Sequence, residues 1–284
     1  MIDPRRLRVL RALADHGTVT AAGRALHLTP SAVSQQLAVL ESEAGQELLR
    51  RKGRRVWLTA AGELLAEHAD AVLAELDRAE ARLAELAAGR AGRVRVAAFA
   101  TAITRVVAPA AANLRRVGIE VHVSDAEGHH SLPMLLDGEI DIAVTMRPEE
   151  NPRVASTPLY SEPFDAVLPP GHPLAGHVEV DLRELARDPW VVPSAGNPCQ
   201  DVVLQACQGA GFRPRIHHTS DDFTAQLALI AAGAVALIPR TALPEGRGVE
   251  LAIPAARHVF ALTRTGRQEH PLIATVIRAL VQEA

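Results

Sequence analysis

Leu65, Ala69, Val72, Leu76, Ala79, Leu83 and Leu86 recur at alternating spacings of four and three, with no proline between positions 60 and 88. Such a heptad seam lays one apolar strip along one face of a long helix. One helix cannot hide that strip alone. Either a second copy of the chain covers it, or the strip packs against the chain's own second domain. The first reading places Leu65, Val72, Leu76 and Leu83 in a dimer contact. At ~1.5 Å per residue, a helix over 60–88 spans about 40 Å, long enough to hold two domains apart. Glu67, Asp70, Glu75, Asp77 and Glu80 give it an acidic outer face that keeps it from lying along phosphate.

The seam divides two different kinds of sequence. Residues 1–60 hold ten basic side chains and five acidic ones, although the whole chain is nearly neutral, with 30 Lys plus Arg against 33 Asp plus Glu. The helical patterns there are short. Leu7, Leu10, Leu13 and Ala14 mark a first helix, and Thr18 caps a second that carries Ala21, Ala22, Ala25 and Leu26. Thr29-Pro30 supplies an N-cap and a first-turn proline for a third helix. In that helix Val33, Leu37 and Leu40 face inward, leaving Ser31, Ser34, Gln35 and Ala38 outward. A short hydroxyl and amide face of this kind suits a major groove: serine and free backbone N–H groups meet phosphate, and glutamine reads a base edge. Arg50, Arg51, Lys52, Arg54 and Arg55 surround Gly53 just before Val56-Trp57-Leu58, the pattern of a small basic wing. A solvated basic turn beside an ordinary three-helix core is the plainer alternative.

Taken in order, Ala21-Ala22, Leu26, Leu28-Thr29-Pro30-Ser31-Ala32-Val33-Ser34-Gln35-Gln36-Leu37, Leu40-Glu41 and Leu58-Thr59-Ala60-Ala61-Gly62 resemble the LysR-type transcriptional regulators. Two positions depart from the family's usual pattern, Gly17-Thr18-Val19 for Gly-Ser-Phe and Leu49 for phenylalanine, and neither removes a DNA-facing group. The resemblance implies an N-terminal all-α winged helix-turn-helix, a long linker helix that dimerises, and a two-lobed α/β effector domain like a periplasmic binding protein. It implies DNA contact by Pro30, Ser31, Ser34, Gln35 and Arg51, to which the basic wing adds Arg54 and Arg55. The expected domains are 1–59 for DNA binding, 60–88 for the linker and 89–284 for the effector domain, with lobe 1 at about 92–160 and 266–284 and lobe 2 at about 161–265.

From Arg93 onward, apolar runs at 94–99, 119–123, 140–145, 164–168, 190–193 and 234–239 alternate with helical stretches at 197–210 and 223–232. That rhythm reads as βαβ units around mainly parallel sheets in two lobes. Ligands gather beyond the strand ends of such sheets. Thr101, Thr145, Ser194 and Asp221 are the expected effector contacts, each of which can also serve as a plain local cap. Thr101 and the cationic background point to an anionic or zwitterionic effector. The resemblance also covers 135–143, 169–175 and 232–239, with Ala234 and Ala236 where glycines are frequent.

No metal, cofactor or catalytic group is expected. Neighbouring His129 and His130 beside Glu127 diverge on a helix and lack a ligand-spaced partner. A phosphate loop, a dinucleotide glycine fingerprint and a nucleophile elbow are missing, which disfavours an enzyme. Cys199 and Cys207, the two cysteines, are eight residues apart. On one helix that is about 12 Å, too far for a disulfide. Peroxide-sensing members of the family use a cysteine pair in this region, but two buried thiols with nothing nearby to lower a thiol pKa are the plainer reading. The expected partners are double-stranded DNA, a small-molecule effector, a second copy as dimer or tetramer, and RNA polymerase. The expected location is the cytoplasm, with no membrane contact. A purely architectural DNA-binding protein and a solute-binding transport component are the remaining alternatives.

Overall fold

The computed structural model describes residues 2–52, 55–86, 92–126, 128–244 and 246–284. Three helices open the chain: α1 (Pro4–His16), α2 (Val19–Ala25) and α3 (Pro30–Ala44). Their starts follow the local chemistry. Thr18 Oγ1 accepts from Ala21 N at 3.1 Å, and Thr29 Oγ1 accepts from Ala32 N at 3.2 Å. Strands β1 (Leu49–Lys52) and β2 (Arg55–Leu58) pair antiparallel as the wing. Its base is pinned by Glu41, whose Oε1 accepts from Leu48 N at 2.9 Å and Leu49 N at 3.1 Å.

The linker helix α4 runs Ala60–Leu86. Gly62 has to be glycine, because a Cβ there would collide with the carbonyl of Leu48, and this lets the helix leave directly from the wing. Leu7, Leu10 and Leu13 are buried as expected, but so are Val9 and Ala12, because Ala66 and Ala69 of α4 close over a second face of α1.

The effector region begins with β3 (Gly92–Ala98), α5 (Ala100–Ala102) and a π-helical turn over Ile103–Val107 that runs into α6 (Ala108–Arg115). Then come β4 (Ile119–Asp125), α7 (Gly128–Asp137), β5 (Ile142–Thr145) and the long β6 (Val154–Val167). The second lobe follows with β7 (Glu179–Val180), β8 (Pro189–Val192), α8 (Pro198–Gly209), β9 (Arg215–Thr219), α9 (Phe223–Ala231), β10 (Ala236–Pro239) and β11 (Glu250–Leu251). The chain returns through β12 (Ala255–Arg264) and closes with α10 (Pro271–Glu283).

One six-stranded sheet, ordered β10-β6-β12-β5-β3-β4, passes through both lobes, while β8-β9 and β11-β7 form smaller parallel pairs. Around β3 the sheet is parallel, as the βαβ rhythm implies, but the two crossing strands β6 and β12 are antiparallel. Their ten paired positions shift register between Val259 and Phe260, whose partners are Tyr160 and Pro158, so Leu159 is left as a bulge. Val94, Val96, Phe99, Ile142, Val259, Ile273 and Val276 build the main core of lobe 1. Phe164, Trp190, Val203, Val235 and Leu237 build that of lobe 2.

Candidate functional site

The first candidate surface is the outer side of the head. Pro30 opens α3, Ser31 and Gln35 are exposed, and Ser34 is half-buried beside them. Val33, Leu37 and Leu40 are buried on the opposite side. Pro30 brings no N–H, Thr29 occupies those of Ala32 and Val33 through its hydroxyl and carbonyl, and the N–H of Ser31 is the remaining donor of the first turn. In the wing, Arg51 pairs with Val56 and Arg55 with Lys52, while Arg54 lies outside the described residues. Arg50 and Trp57 are cross-strand neighbours on the face away from the core, with Trp57 46% exposed.

The seam of α4 divides in two. Leu65 packs against the head and Ala69 is fully buried there. Beyond them Val72 is 42% exposed and Leu83 64% exposed, although both are apolar. Leu76 between them is half-buried. The acidic face is not the free outer surface its sequence suggests: Asp70 lies 3.7 Å from Arg153, and Asp77 lies 3.9 Å from Arg264, both in the effector region.

The third candidate site lies where β6 and β12 cross between the lobes. Glu162 and Arg257, paired across the ladder, form an ion pair at 2.6 Å with side chains 1% and 2% exposed. Arg257 Nε also donates to Glu162 Oε2 at 2.8 Å, and Thr241 N donates to Glu162 Oε1 at 2.7 Å. This fixes the guanidinium, whose remaining groups reach into both lobes. Nη2 donates to Thr101 Oγ1 at 2.7 Å, Nη1 lies 3.7 Å from Cys199 Sγ and 3.5 Å from Met146 Sδ, and the carbon centre stands 5.0 Å from the Phe99 ring.

The other expected effector contacts are spent differently. Thr145 is buried at the end of β5 and donates to the carbonyl of Arg147 at 2.8 Å. Asp221 Oδ1 accepts from Ser194 N at 2.9 Å and Asn197 Nδ2 at 3.0 Å, which ties those two loops of lobe 2 together. Thr101 is therefore the one of the four that touches the buried pair. Arg105 lies 4.7 Å over the Tyr160 ring. Burial pushes the Tyr160 hydroxyl up to about 12, and among the described residues neither that hydroxyl nor Arg105 Nε has a hydrogen-bond partner.

The sequence reading missed Glu162, Met146 and Arg257. One signal was available: Arg257 shares the inward side of the two-residue period with Val259 and Ala261. The guanidinium of Arg257, itself paired with Glu162, stands beside Cys199, a neighbour that the sequence alone does not reveal. Cys207 is different, since burial alone pushes its thiol up to about 12. Both cysteines lie on α8, and neither is in a disulfide. Glu127 lies outside the described residues. Among the described residues no cluster of three potential metal ligands occurs, and no helix is long and apolar enough to cross a membrane.

Residues 4–63 match the family model described as bacterial regulatory helix-turn-helix protein, lysR family, and residues 87–284 match the LysR substrate binding domain. A probable hydrogen peroxide-inducible genes activator from Mycobacterium avium is 33% identical over 267 residues, covering 92% of this chain and 85% of that protein. A full-length OxyR variant from Pseudomonas aeruginosa has a similar fold, with a TM-score of 0.70, 22% identity, and coverage of 99% of this chain and 95% of that one. Full-length CbnR in complex with its target DNA aligns with a TM-score of 0.59 and 23% identity over 99% of both chains.

Proposed function

This chain belongs to the LysR family of bacterial regulators, and we propose that it is a self-associating, DNA-binding transcription regulator whose signal is read by Cys199 at the inter-lobe ion pair. The head supplies the DNA contacts: Pro30, Ser31 and the wing arginines Arg51, Arg54 and Arg55 hold phosphate, while Ser34 and Gln35 face bases. Val72, Leu76 and Leu83 on α4 meet a second copy, which supports a dimer whose two heads read half-sites roughly 34 Å or a multiple of that apart.

The observation that carries the signal assignment is Arg257 Nη1 at 3.7 Å from Cys199 Sγ, with Nη2 on Thr101 at 2.7 Å. The Arg257 guanidinium stands beside the sulfur, and the Thr101 hydroxyl that it holds stands ready to bond a small oxygen ligand. The name of the Mycobacterium avium relative supports hydrogen peroxide as that ligand. In the reaction the sulfur attacks one peroxide oxygen, and the S–O bond forms as the O–O bond breaks. Sulfur is oxidised by two electrons to the sulfenic acid, and the departing hydroxide takes up the thiol proton and leaves as water. The new oxygen has to displace either Arg257 or Met146, both of which touch Sγ. That changes the packing between the lobes and, through α4, the placement of the heads. Peroxide shifts activity only to the extent that the two arrangements differ in free energy.

A second reading is an anionic or zwitterionic metabolite, supported by Arg105 Nε and the Tyr160 hydroxyl, which have no hydrogen-bond partner among the described residues and lie together where Arg105 stacks on the Tyr160 ring. Footprinting on operator DNA with and without peroxide separates the two, combined with trapping of the sulfenic acid by a dione reagent. The peroxide reading requires trapping at Cys199 and a footprint change that Cys199→Ser abolishes. An unchanged footprint and no trapped sulfur would refute it, and a metabolite response that survives Cys199→Ser would establish the second reading.

A further inference from the structure

The head does not hang free on its linker. Arg153, immediately before β6, makes a two-pronged bond to Asp15 of α1, Nη1 to Oδ2 at 2.9 Å and Nη2 to Oδ1 at 3.0 Å. Arg11 Nη2 donates to the same Asp15 at 2.6 Å, and both arginines lie near Asp70, at 3.6 and 3.7 Å. His16 Nε2 stands 3.1 Å from each carboxylate oxygen of Asp137 at the end of α7. Farther along α4, Arg264 faces Asp77 and Arg267 faces Glu80, each at 3.9 Å. At Gly266 the backbones approach tightly: with φ +90 it lies so near α4 that a Cβ would be 2.6 Å from the carbonyl of Ala74.

Between these contacts lies a cavity of about 850 Å³. Its lobe 1 wall carries four arginines and two aspartates (4 − 2 = +2), and its head and linker wall carries three arginines and five acids (3 − 5 = −2). The two surfaces therefore match by charge while leaving a large space between them. Contacts of this kind are weakened by salt and separate more readily than a packed apolar interface.

We propose that the lobe 1 face bearing Arg153, Arg264 and Arg267 is a docking surface for the chain's own acidic head and linker face, and that this dock is a reversible latch fixing where the reading helix points. Ion pairs hold the latch closed, and its release frees the head to take a second spacing on DNA. The inference is independent of what the inter-lobe site senses, because none of these residues touches Cys199, Arg257 or Thr101.

The test uses the full-length protein with His16→Cys and Asp137→Cys, treated with a short bis-maleimide, and each single variant as the control for the native cysteines. A fast-migrating, monomer-sized looped product is expected, with a yield that falls at least several-fold between low and molar salt. The charge change Arg153→Glu should lower the low-salt yield by a similar factor. If that variant fails to fold, Arg267→Gln replaces it. A covalent dimer as the main product would assign the docking partner to the second copy and overturn the proposal. A yield that ignores both salt and charge would show a static contact, which also overturns it. Operator affinity or footprint length should differ several-fold between looped and untreated protein, and equality would overturn the latch's control of DNA reading. Loss of the peroxide response with the latch intact would count only against the sensing assignment.

Discussion

Removing one member of the buried Glu162–Arg257 pair should destabilise the effector region far more than removing both. At 2.6 Å and an effective dielectric constant of ~20, the attraction is about 6 kcal/mol. Taking two charges out of water costs several kcal/mol each, so the intact pair contributes little net stability. Arg257→Met leaves a carboxylate that is 1% exposed with only Thr241 as a hydrogen-bond donor, a change that costs about 3–5 kcal/mol. In a domain of this size the melting temperature then falls on the order of 10 °C. Glu162→Gln/Arg257→Met keeps an acceptor for Thr241 and carries no buried charge, so it should lose no more than about half as much. The assay is urea unfolding followed by the fluorescence of Trp190. That side chain is fully buried in lobe 2 and its Nε1 donates to Leu185 O at 3.1 Å. Trp57→Phe removes the other tryptophan of the chain. A single Arg257→Met variant within about 1 kcal/mol of its parent, or a double variant worse than the single, would refute the reasoning.

Leu76→Asp should weaken the dimer by about tenfold or more, because an interfacial leucine contributes about 1.5–3 kcal/mol and ~1.4 kcal/mol is one decade; sedimentation as an unchanged, DNA-competent dimer would contradict it. Gln35→Ala should lose about 1–3 kcal/mol of discrimination at one base pair and leave the salt dependence of binding unaltered, as measured by competition between operator variants. Asp15 and Asp70 should respond oppositely. Burial raises both, but hydrogen bonds from Arg11 and Arg153 bring Asp15 below the ordinary 3.8, while Asp70 stays above it. The Asp15 contribution is therefore present above 3.8 and lost as pH falls through its lower folded value, whereas Asp70, whose burial outweighs its arginines, adds stability as pH falls through its raised value. At neutral pH Asp15→Asn, which removes a two-pronged bond to Arg153, should loosen the head from lobe 1 more than Asp70→Asn does, as read from cross-linking yield.

What the sequence displays well is whatever is decided within a few residues. Thr18 and Thr29 cap the helices they precede, and the linker helix follows from its spacing and from the lack of an internal breaker. The burial of Val9 and Ala12 was not legible, because it depends on a helix more than 50 residues later folding back across α1. The crossing strands were hard to read for the same reason, compounded by Pro158 and Pro163 in β6 and by Arg257 and His258 in β12. The partners in the ion pair stand 95 positions apart, and Cys199 lies 58 from the arginine beside it. No local period reports such meetings. The acidic face of α4 was legible as acidic, but Arg153 and Arg264, which meet Asp70 and Asp77, come from lobe 1.

The extra residue at Leu159 bears on how the two lobes turn against each other. Both crossings are strands, so a rotation has to be absorbed as added twist in a two-stranded ribbon and not by the swing of a loop. Such a ribbon is most compliant where a ladder bond is already missing, and Tyr160 and Val259 flank that spot. A push on the Arg257 guanidinium, two residues away, therefore acts on a short lever beside the softest joint. The joint can work like a torsion spring, returning when the load is removed and presenting no slack chain for a protease to cut.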